Sequence, residues 1–223
     1  MKKYFLLVPF LTFNFSFLTQ SFSQESLFPI EEKGKCGYIN KSGKVVIAAQ
    51  FDFAETFSEG MASVSVSGKR GFIDQTGKVI IAAQYDKTTP FSEGLASGKK
   101  GGKWFYFDKT GKVVIEPTCD YAYKFSDGVA RLQVGSKMGF IDKTGSFVIK
   151  AEYDGAYDFS ETLARVKKGN KWGYIDKTGK VVINKNFNYM SSFKNGLAKV
   201  TSVDIKTGYT NGYIDKTGKY VWP

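Results

Sequence analysis

The sequence predicts an all-β chain, a tandem repeat array of six three-stranded antiparallel units. Three observations carry this prediction. One block recurs six times along 223 residues, a second block recurs five times between its copies, and Gly is abundant (24) while Pro is scarce (5). Self-similarity at a fixed period is the signature of a repeat architecture, and many glycines between short β-branched and aromatic runs are the signature of tight turns between strands.

The opening stretch is set apart from the fold. Met1-Lys2-Lys3 forms a short basic region, and Tyr4 to Leu18 (YFLLVPFLTFNFSFL) an apolar one. Ser21 and Ser23 place small residues before a cleavage point at Gln24. Residues 1–23 are therefore expected to be a signal peptide and residues 24–223 the repeat domain. The apolar run is broken by Pro9 and Asn14 and is shorter than the roughly 20 residues of a membrane span. Export to the periplasm, cell surface or medium is the expected localisation, with no membrane span after cleavage.

The first block reads CGYINKSGKVVI from Cys36, RGFIDQTGKVII from Arg70, WFYFDKTGKVVI from Trp104, MGFIDKTGSFVI from Met138, WGYIDKTGKVVI from Trp172 and NGYIDKTGKYVW from Asn211. Its copies start 34 residues apart four times and then 39 apart, because residues 202–210 carry an insertion. The second block begins at Phe57, Phe91, Phe125, Phe159 and Phe193. A third column lies just upstream, at Phe51, Tyr85, Cys119, Tyr153 and Phe187. The units fall at roughly 27–47, 62–81, 95–115, 129–149, 163–183 and 197–222.

Within a unit, the register assigns each strand. Asp-Lys-Thr-Gly separates two β-rich runs. The Asp side chain opens a type I turn and the Gly closes it as a bulged hairpin. Trp172–Asp176 is thus a second strand and Lys180–Ile183 a third. Leu163–Lys167 is the first, linked to the second by a Gly-rich turn. Leu27–Glu31 aligns with a first strand, so the mature chain opens directly on its first unit.

Strand alternation puts Trp172 and Tyr174 on one face, with Gly173 and Ile175 on the other. Both faces carry apolar residues, so the units are expected to pack on both sides. The Gly of this row lets a neighbour lie close against the strand; Phe105 replaces it in the third unit and should distort the local packing. The aromatic columns read as core joining consecutive units. Cys36 and Cys119 occupy different columns in units two repeats apart, so both are expected to be free thiols.

The chain has a formal net charge of +11, and +9 once Lys2 and Lys3 are removed. A basic surface favours anionic partners. The lysines fall in rows. Lys41, Lys109, Lys143, Lys177 and Lys216 share one turn position and are the candidate ligand-binding residues. Lys44, Lys78, Lys112, Lys180 and Lys219 share a second, and Lys35, Lys69, Lys103, Lys137 and Lys171 a third. A repeating basic edge would suit an anionic polymer. Solvated turn chemistry, partly balanced by the turn Asp residues, is the simpler account.

No histidine occurs anywhere, which removes Ser–His and Cys–His catalysis and His-ligated metals. There is no Gly-x-Ser-x-Gly elbow and no phosphate-cradling loop ahead of a helix. Lys and Thr occupy the positions where a calcium loop needs oxygen ligands. No catalytic, cofactor or metal site is expected, and the chain is read as a non-enzyme. The competing reading is an envelope hydrolase with its site around Trp104–Phe107 or in the 202–210 insertion.

The run Lys-Trp-Gly-Tyr-Ile-Asp-Lys-Thr-Gly-Lys-Val-Val-Ile at 171–183, followed by Phe-x-x-Gly-Leu-Ala at 193–198, resembles the bacterial WG repeat family. The resemblance covers about residues 27–222. It implies short β-stranded repeats and use as an interaction or envelope-associated module, and it brings no catalytic residues with it. The Trp of the name-giving dipeptide is replaced by Cys36, Arg70, Met138 and Asn211, and Phe105 follows Trp104 in place of Gly. The expected shape is an open array, with a closed propeller-like ring as the alternative. The expected function is a monomeric exported binding module for a protein or an anionic envelope polymer, with no specific nucleic-acid partner.

Overall fold

The computed structural model describes residues 26–184, 187–204 and 208–222. The expected signal peptide and its cleavage point lie outside the described residues, as does the tip of the insertion at 205–207. The described residues form six antiparallel sheets in tandem and no helix. The first sheet holds β1 (Phe28–Glu32), β2 (Lys35–Ile39) and β3 (Val45–Phe51). The second holds β4 (Phe53–Ala54), β5 (Met61–Val66), β6 (Lys69–Asp74) and β7 (Val79–Tyr85). The third holds β8 (Lys87–Thr88), β9 (Leu95–Lys100), β10 (Lys103–Asp108) and β11 (Val113–Ile115). The fourth holds β12 (Tyr121–Ser126), β13 (Val129–Val134), β14 (Lys137–Ile141) and β15 (Phe147–Tyr153). The fifth holds β16 (Gly155–Ala156), β17 (Ala164–Lys168), β18 (Lys171–Ile175) and β19 (Val181–Ile183). The sixth holds β20 (Tyr189–Met190), β21 (Ala198–Asp204), β22 (Gly208–Ile214) and β23 (Tyr220–Trp222).

Three strands per unit holds for the first sheet; the other five gain a fourth strand ahead of the predicted three, two residues long in four of them and six residues long in the fourth sheet. It forms because the chain leaving one sheet runs antiparallel along the next. Asp52 N–H donates to Ser65 O at 2.9 Å and Glu55 N–H to Ser63 O at 2.9 Å, flanking the two residues of β4. Four strands in sequential order are also the makeup of a propeller blade, so strand number does not argue against a ring. The insertion at 202–210 lengthens one hairpin, with β21 and β22 paired out to Asp204 and Gly208.

The turn after each second strand follows its sequence. Asp108 Oδ1 accepts from Thr110 N–H (2.9 Å), Thr110 Oγ1 (2.6 Å) and Lys112 N–H (3.1 Å), while Gly111 closes the turn at φ +85°. A left-handed residue is needed there, and glycine adopts it without a Cβ clash.

The glycine row has an equally direct cause. Between Met138 and Phe140 the register against β15 shifts, from Met138↔Tyr153 to Phe140↔Ile149, so β15 bulges across Gly139. A Cβ on Gly139 would meet Ala151 N at 2.6 Å and Ile149 O at 2.7 Å. Phe105 fills this position in the third sheet. There β11 stops after three residues, but β19 and β23 are equally short beside Gly173 and Gly212, so the shortening is not peculiar to Phe105.

Each pair of consecutive sheets encloses its own hydrophobic cluster. The aromatic columns supply it. A second-strand ring meets the Phe of the next unit's turn throughout: Tyr38–Phe57 at 4.8 Å, Phe72–Phe91 at 4.9 Å, Tyr106–Phe125 at 5.1 Å, Phe140–Phe159 at 4.9 Å and Tyr174–Phe193 at 4.8 Å between centroids. All are tilted or edge-on, the favoured geometry for such pairs. Burying each ring contributes about 1.5–3 kcal/mol. Where the second-strand ring is Tyr, its hydroxyl also donates to the next unit's backbone. Tyr38 reaches Glu55 O at 2.7 Å, Tyr106 reaches Tyr123 O at 2.6 Å and Tyr174 reaches Ser191 O at 2.6 Å. Burial pushes the pKa of all three hydroxyls up, so they stay protonated donors. The Trp position varies in depth as its substitutions imply. Trp104 is buried, while Cys36, Arg70, Met138 and Trp172 are half-buried and Asn211 is exposed. Cys36 on β2 and Cys119 in the loop between β11 and β12 are free thiols.

Candidate functional site

The three lysine rows have different fates. At one end of the units, each Phe-Ser-Glu-Gly segment makes a two-residue hairpin turn: Ser58 and Met61 exchange backbone hydrogen bonds, with Glu59 at φ +51° and Gly60 at φ +81°. The turn's acid reaches forward onto the next unit's turn. Glu59 accepts from Glu93 N–H (2.6 Å) and Gly94 N–H (3.0 Å), Glu93 from Gly128 N–H (3.0 Å), Asp127 from Thr162 N–H (2.6 Å) and Glu161 from Gly196 N–H (2.9 Å). Ser58 Oγ adds a bond to Phe91 O at 2.7 Å, repeated by Ser126 to Phe159 O and Ser160 to Phe193 O.

Three of the five candidate lysines close this ladder. Lys109 Nζ donates to Glu59 O at 2.8 Å and lies 3.3 Å from its carboxylate. Lys143 does the same on Glu93, at 2.9 and 3.4 Å. Lys216 lies 3.1 Å from the Glu161 carboxylate. Burial would raise the Glu59 pKa, but the Gly94 and Glu93 N–H donors together with Lys109 hold it below its usual value. At the 50-residue spacing of the other pairs, Lys177 has Asp127 in place of a Glu, one methylene shorter, and neither Lys177 nor Lys41 has an ion-pair partner among the described residues. The row is thus largely committed to joining units.

At the other end, Asp residues that follow the third column take up part of the third row. Asp52 accepts from Lys35 Nζ at 2.6 Å and from Ser67 N–H at 2.6 Å. Lys69 pairs with Asp86, and Lys137 with Asp154 at 2.5 Å. The Lys35 hydrogen bond is the main cause of the depressed Asp52 pKa, and the Lys69 and Lys137 bonds act likewise on Asp86 and Asp154.

The second row remains. Lys44, Lys78, Lys112, Lys180 and Lys219 are exposed, and no ammonium of this row makes an ion pair or hydrogen bond among the described residues, although Lys78, Lys112, Lys180 and Lys219 feel the charge of their own turn Asp. Their backbones are fixed by the turn Asp or Asn, so their Cα positions are set. Each opens a strand at the outer edge of its sheet, and the following residues include exposed apolar side chains: Val45, Val79, Val113, Val181 and Val221. Ser146 breaks the row in the fourth unit, ahead of exposed Phe147.

Of the segments proposed for a hydrolase, the side chains of 203–210 lie outside the described residues. Trp104, Tyr106 and Phe107 are buried. Among the described residues, no three His, Cys, Asp or Glu side chains gather as a metal site would require. No helix is long and apolar enough to cross a membrane.

The WG containing repeat pattern matches residues 37–69, 71–104, 104–137, 138–172 and 172–201. The chain belongs to the WG repeat family. Each matched copy begins at or next to the Trp-Gly position and runs to the next, so it joins the second and third strands of one sheet to the opening strands of the following one. A search of curated proteins finds no match to this WG repeat chain. Among solved structures it is similar to dihydro-heme d1 dehydrogenase NirN in complex with DHE, at 13% identity and a TM-score of 0.53, covering 88% of this chain and 53% of NirN. It is also similar to KlHsv2 with loop 6CD replaced by a Gly-Ser linker, at 8% identity and a TM-score of 0.51, covering 86% and 82%. The WG repeat chain spans about half the length of the NirN structure, and these likenesses concern the fold alone.

Proposed function

We propose that this WG repeat protein is an exported, non-catalytic binding module, and that its ligand is an anionic polymer of the bacterial envelope held along the outer sheet edges. The observation that carries the reading is the division of the lysine rows. Three lysines of each of two rows are drawn into joints between units, whereas all five of Lys44, Lys78, Lys112, Lys180 and Lys219 lack an ion-pair partner among the described residues and stand at repeat spacing beside exposed valines. Point charges at a fixed period suit a polymer with a repeating negative charge, and Val side chains beside them give its apolar faces a contact. Lysines on sheet edges also guard against edge-to-edge pairing, so binding and solubility draw on the same residues.

Two variants test this. Changing Lys44, Lys78, Lys112, Lys180 and Lys219 together to Gln should sharply reduce retention on heparin and weaken its salt dependence, since fewer counterions are released. The melting curve should barely move, because surface substitutions stay within about 0.5 kcal/mol. Changing Lys109, Lys143 and Lys216 to Gln should instead lower the melting temperature while retaining most of the binding. Undiminished retention in the first variant would overturn the proposal. Export is tested by fractionating cells and sequencing the mature N-terminus, expected at Gln24.

A further inference from the structure

One half-buried arginine breaks the charge pattern of the repeat. Arg70 pairs with Glu55 at 2.7 Å, and Arg131 lies 3.2 Å from Asp158. Arg165 occupies the same strand position as Arg131 one unit later, but Ser192 stands where Asp158 would be. No carboxylate lies within ion-pair distance of Arg165 among the described residues. Its guanidinium stacks 3.6 Å from the centroid of the Tyr157 ring and donates one Nη1 bond to Met190 O. Its Nε is buried and has no hydrogen-bond partner, as is true of Arg131 Nε, but Arg131 has the Asp158 charge beside it. A half-buried cation without a counter-charge is costly, and an anion bound beside it relieves that cost.

Arg165 also lines a hollow. A cavity of about 140 Å³ lies between the fifth and sixth sheets, walled by Tyr157, Arg165, Trp172, Asn188 and Tyr189. Tyr189 is 53% exposed, whereas one face of the half-exposed Tyr157 ring is taken by the Arg165 guanidinium. Trp172 differs from its counterpart Trp104. Trp104 is buried, its indole N–H donates to Asp120 O at 3.0 Å, and Tyr121 covers it at 4.6 Å. Trp172 is half-buried, 5.9 Å from Tyr157, and its indole N–H has no partner among the described residues. Trp172 also borders a second hollow of about 390 Å³, with Lys171 and Asn184 on its wall beside Lys168, which pairs with Glu152 at 2.8 Å. This combination does not recur one unit earlier, where Met138 and Gly155 replace Trp172 and Tyr189.

We propose that this hollow is a subsite for an acidic saccharide, such as a uronic acid residue within a glycan. Its carboxylate would meet Arg165, its ring would lie on the Tyr189 and Trp172 faces, and its hydroxyls would bond the Asn188 carboxamide, which both donates and accepts. A glycan longer than one ring would cross the Trp172 edge into the second hollow.

The site stands apart from the lysine row, and a short ligand separates the two. Trigalacturonate is titrated into the full chain by calorimetry, with maltotriose as the neutral control and uridine monophosphate as the nucleotide control. The expected result is binding of trigalacturonate alone, at least tenfold weaker in Arg165→Met and in Trp172→Ala, and unchanged in the five-lysine Gln variant. Tyr189→Ala, at an exposed position, should weaken binding with an unaltered melting curve, which covers the case in which the other two variants misfold. Failure of trigalacturonate to bind, equal binding of maltotriose, tighter binding of uridine monophosphate, or full affinity in the folded variants would each overturn the assignment. Loss of binding in the lysine variant alone would show that the row, not this hollow, holds the saccharide.

Discussion

Thr162 occupies a backbone position made for glycine, and replacing it should stabilise the protein. The hairpin turns of the ladder carry Gly60, Gly94, Gly128 and Gly196 at φ between +80° and +85°; in the fifth unit Thr162 sits at φ +75°. The space around this position is open: a Cβ on Gly94, Gly128 or Gly196 would meet nothing within 4 Å. The constraint is therefore the backbone angle alone. A non-glycine residue in the left-handed region costs about 1–2 kcal/mol, and a β-branched one is a marked outlier there. Glycine returns about 0.5–1 kcal/mol through its freer unfolded chain. Thr162→Gly should thus gain about 1 kcal/mol, or ~2–4 °C for a chain of this size. The bond from its N–H to Asp127 is made by the backbone and survives the change. Urea unfolding followed by far-UV circular dichroism, with the slope of the transition held constant, measures the gain. Thr162→Ala should gain much less, since alanine still pays the left-handed cost. A loss of stability in Thr162→Gly, or an equal gain in Thr162→Ala, would refute the reasoning.

Other perturbations have equally definite outcomes. The turn carboxyls Asp74, Asp108, Asp142, Asp176 and Asp215 are held below the usual 3.8, first by the hydroxyl of the Thr two residues on and then by backbone N–H donors. Each favours folding while ionised, so their contribution is complete above the unfolded pKa and is lost as pH falls through the lower folded value. Thermal melts should be flat from about pH 5.5 to 8, since no histidine titrates there, and should fall steeply below about pH 4. Gly139→Ala forces a Cβ against the β15 backbone and should cost about 1–3 kcal/mol or more by chemical denaturation. Gly155→Ala places its Cβ 3.5 Å from Lys167 Cβ, an ordinary contact, and should be nearly neutral in the same assay. The Cys119 thiol, pushed up to about 11 chiefly by burial, should react slowly with a disulfide reagent at pH 8, and mass spectrometry after oxidation should show no Cys36–Cys119 bridge.

Much of this fold could be read from residue order because its turns are chemically explicit. Asp-Lys-Thr-Gly names both its hydrogen-bond acceptor and its left-handed residue, so the second strand and the start of the third fall within a residue or so of prediction, while β3, β7 and β15 run four residues past the expected end. The glycine row also spoke clearly, since only a close approach explains its recurrence before an aromatic. The short fourth strand left no such mark. Phe53-Ala54, Lys87-Thr88 and Gly155-Ala156 share no composition, because their pairing is imposed by the neighbouring strand rather than by local propensity. The lysine rows were visible but their fates were not. Whether a lysine stands free depends on an acid 50 residues away in the case of Lys109 and Glu59, a pairing set by the stacking of units. Arg165 was hidden for a similar reason: its significance lies in the missing partner at Ser192, which becomes legible only when Arg131 and Asp158 are seen together.

The carboxylate ladder has a direction, and direction has a consequence for how such a chain changes length. Every turn offers an acceptor to the unit ahead and donors to the unit behind, so each unit is complementary to a copy of itself. An in-frame duplication of 34 residues would arrive with both halves of its joint already specified, and a deletion of the same length would rejoin ends that fit. Neither event demands a compensating substitution elsewhere. Copy number is therefore the property of this molecule least constrained by its own packing, and the size of its ligand is free to set it.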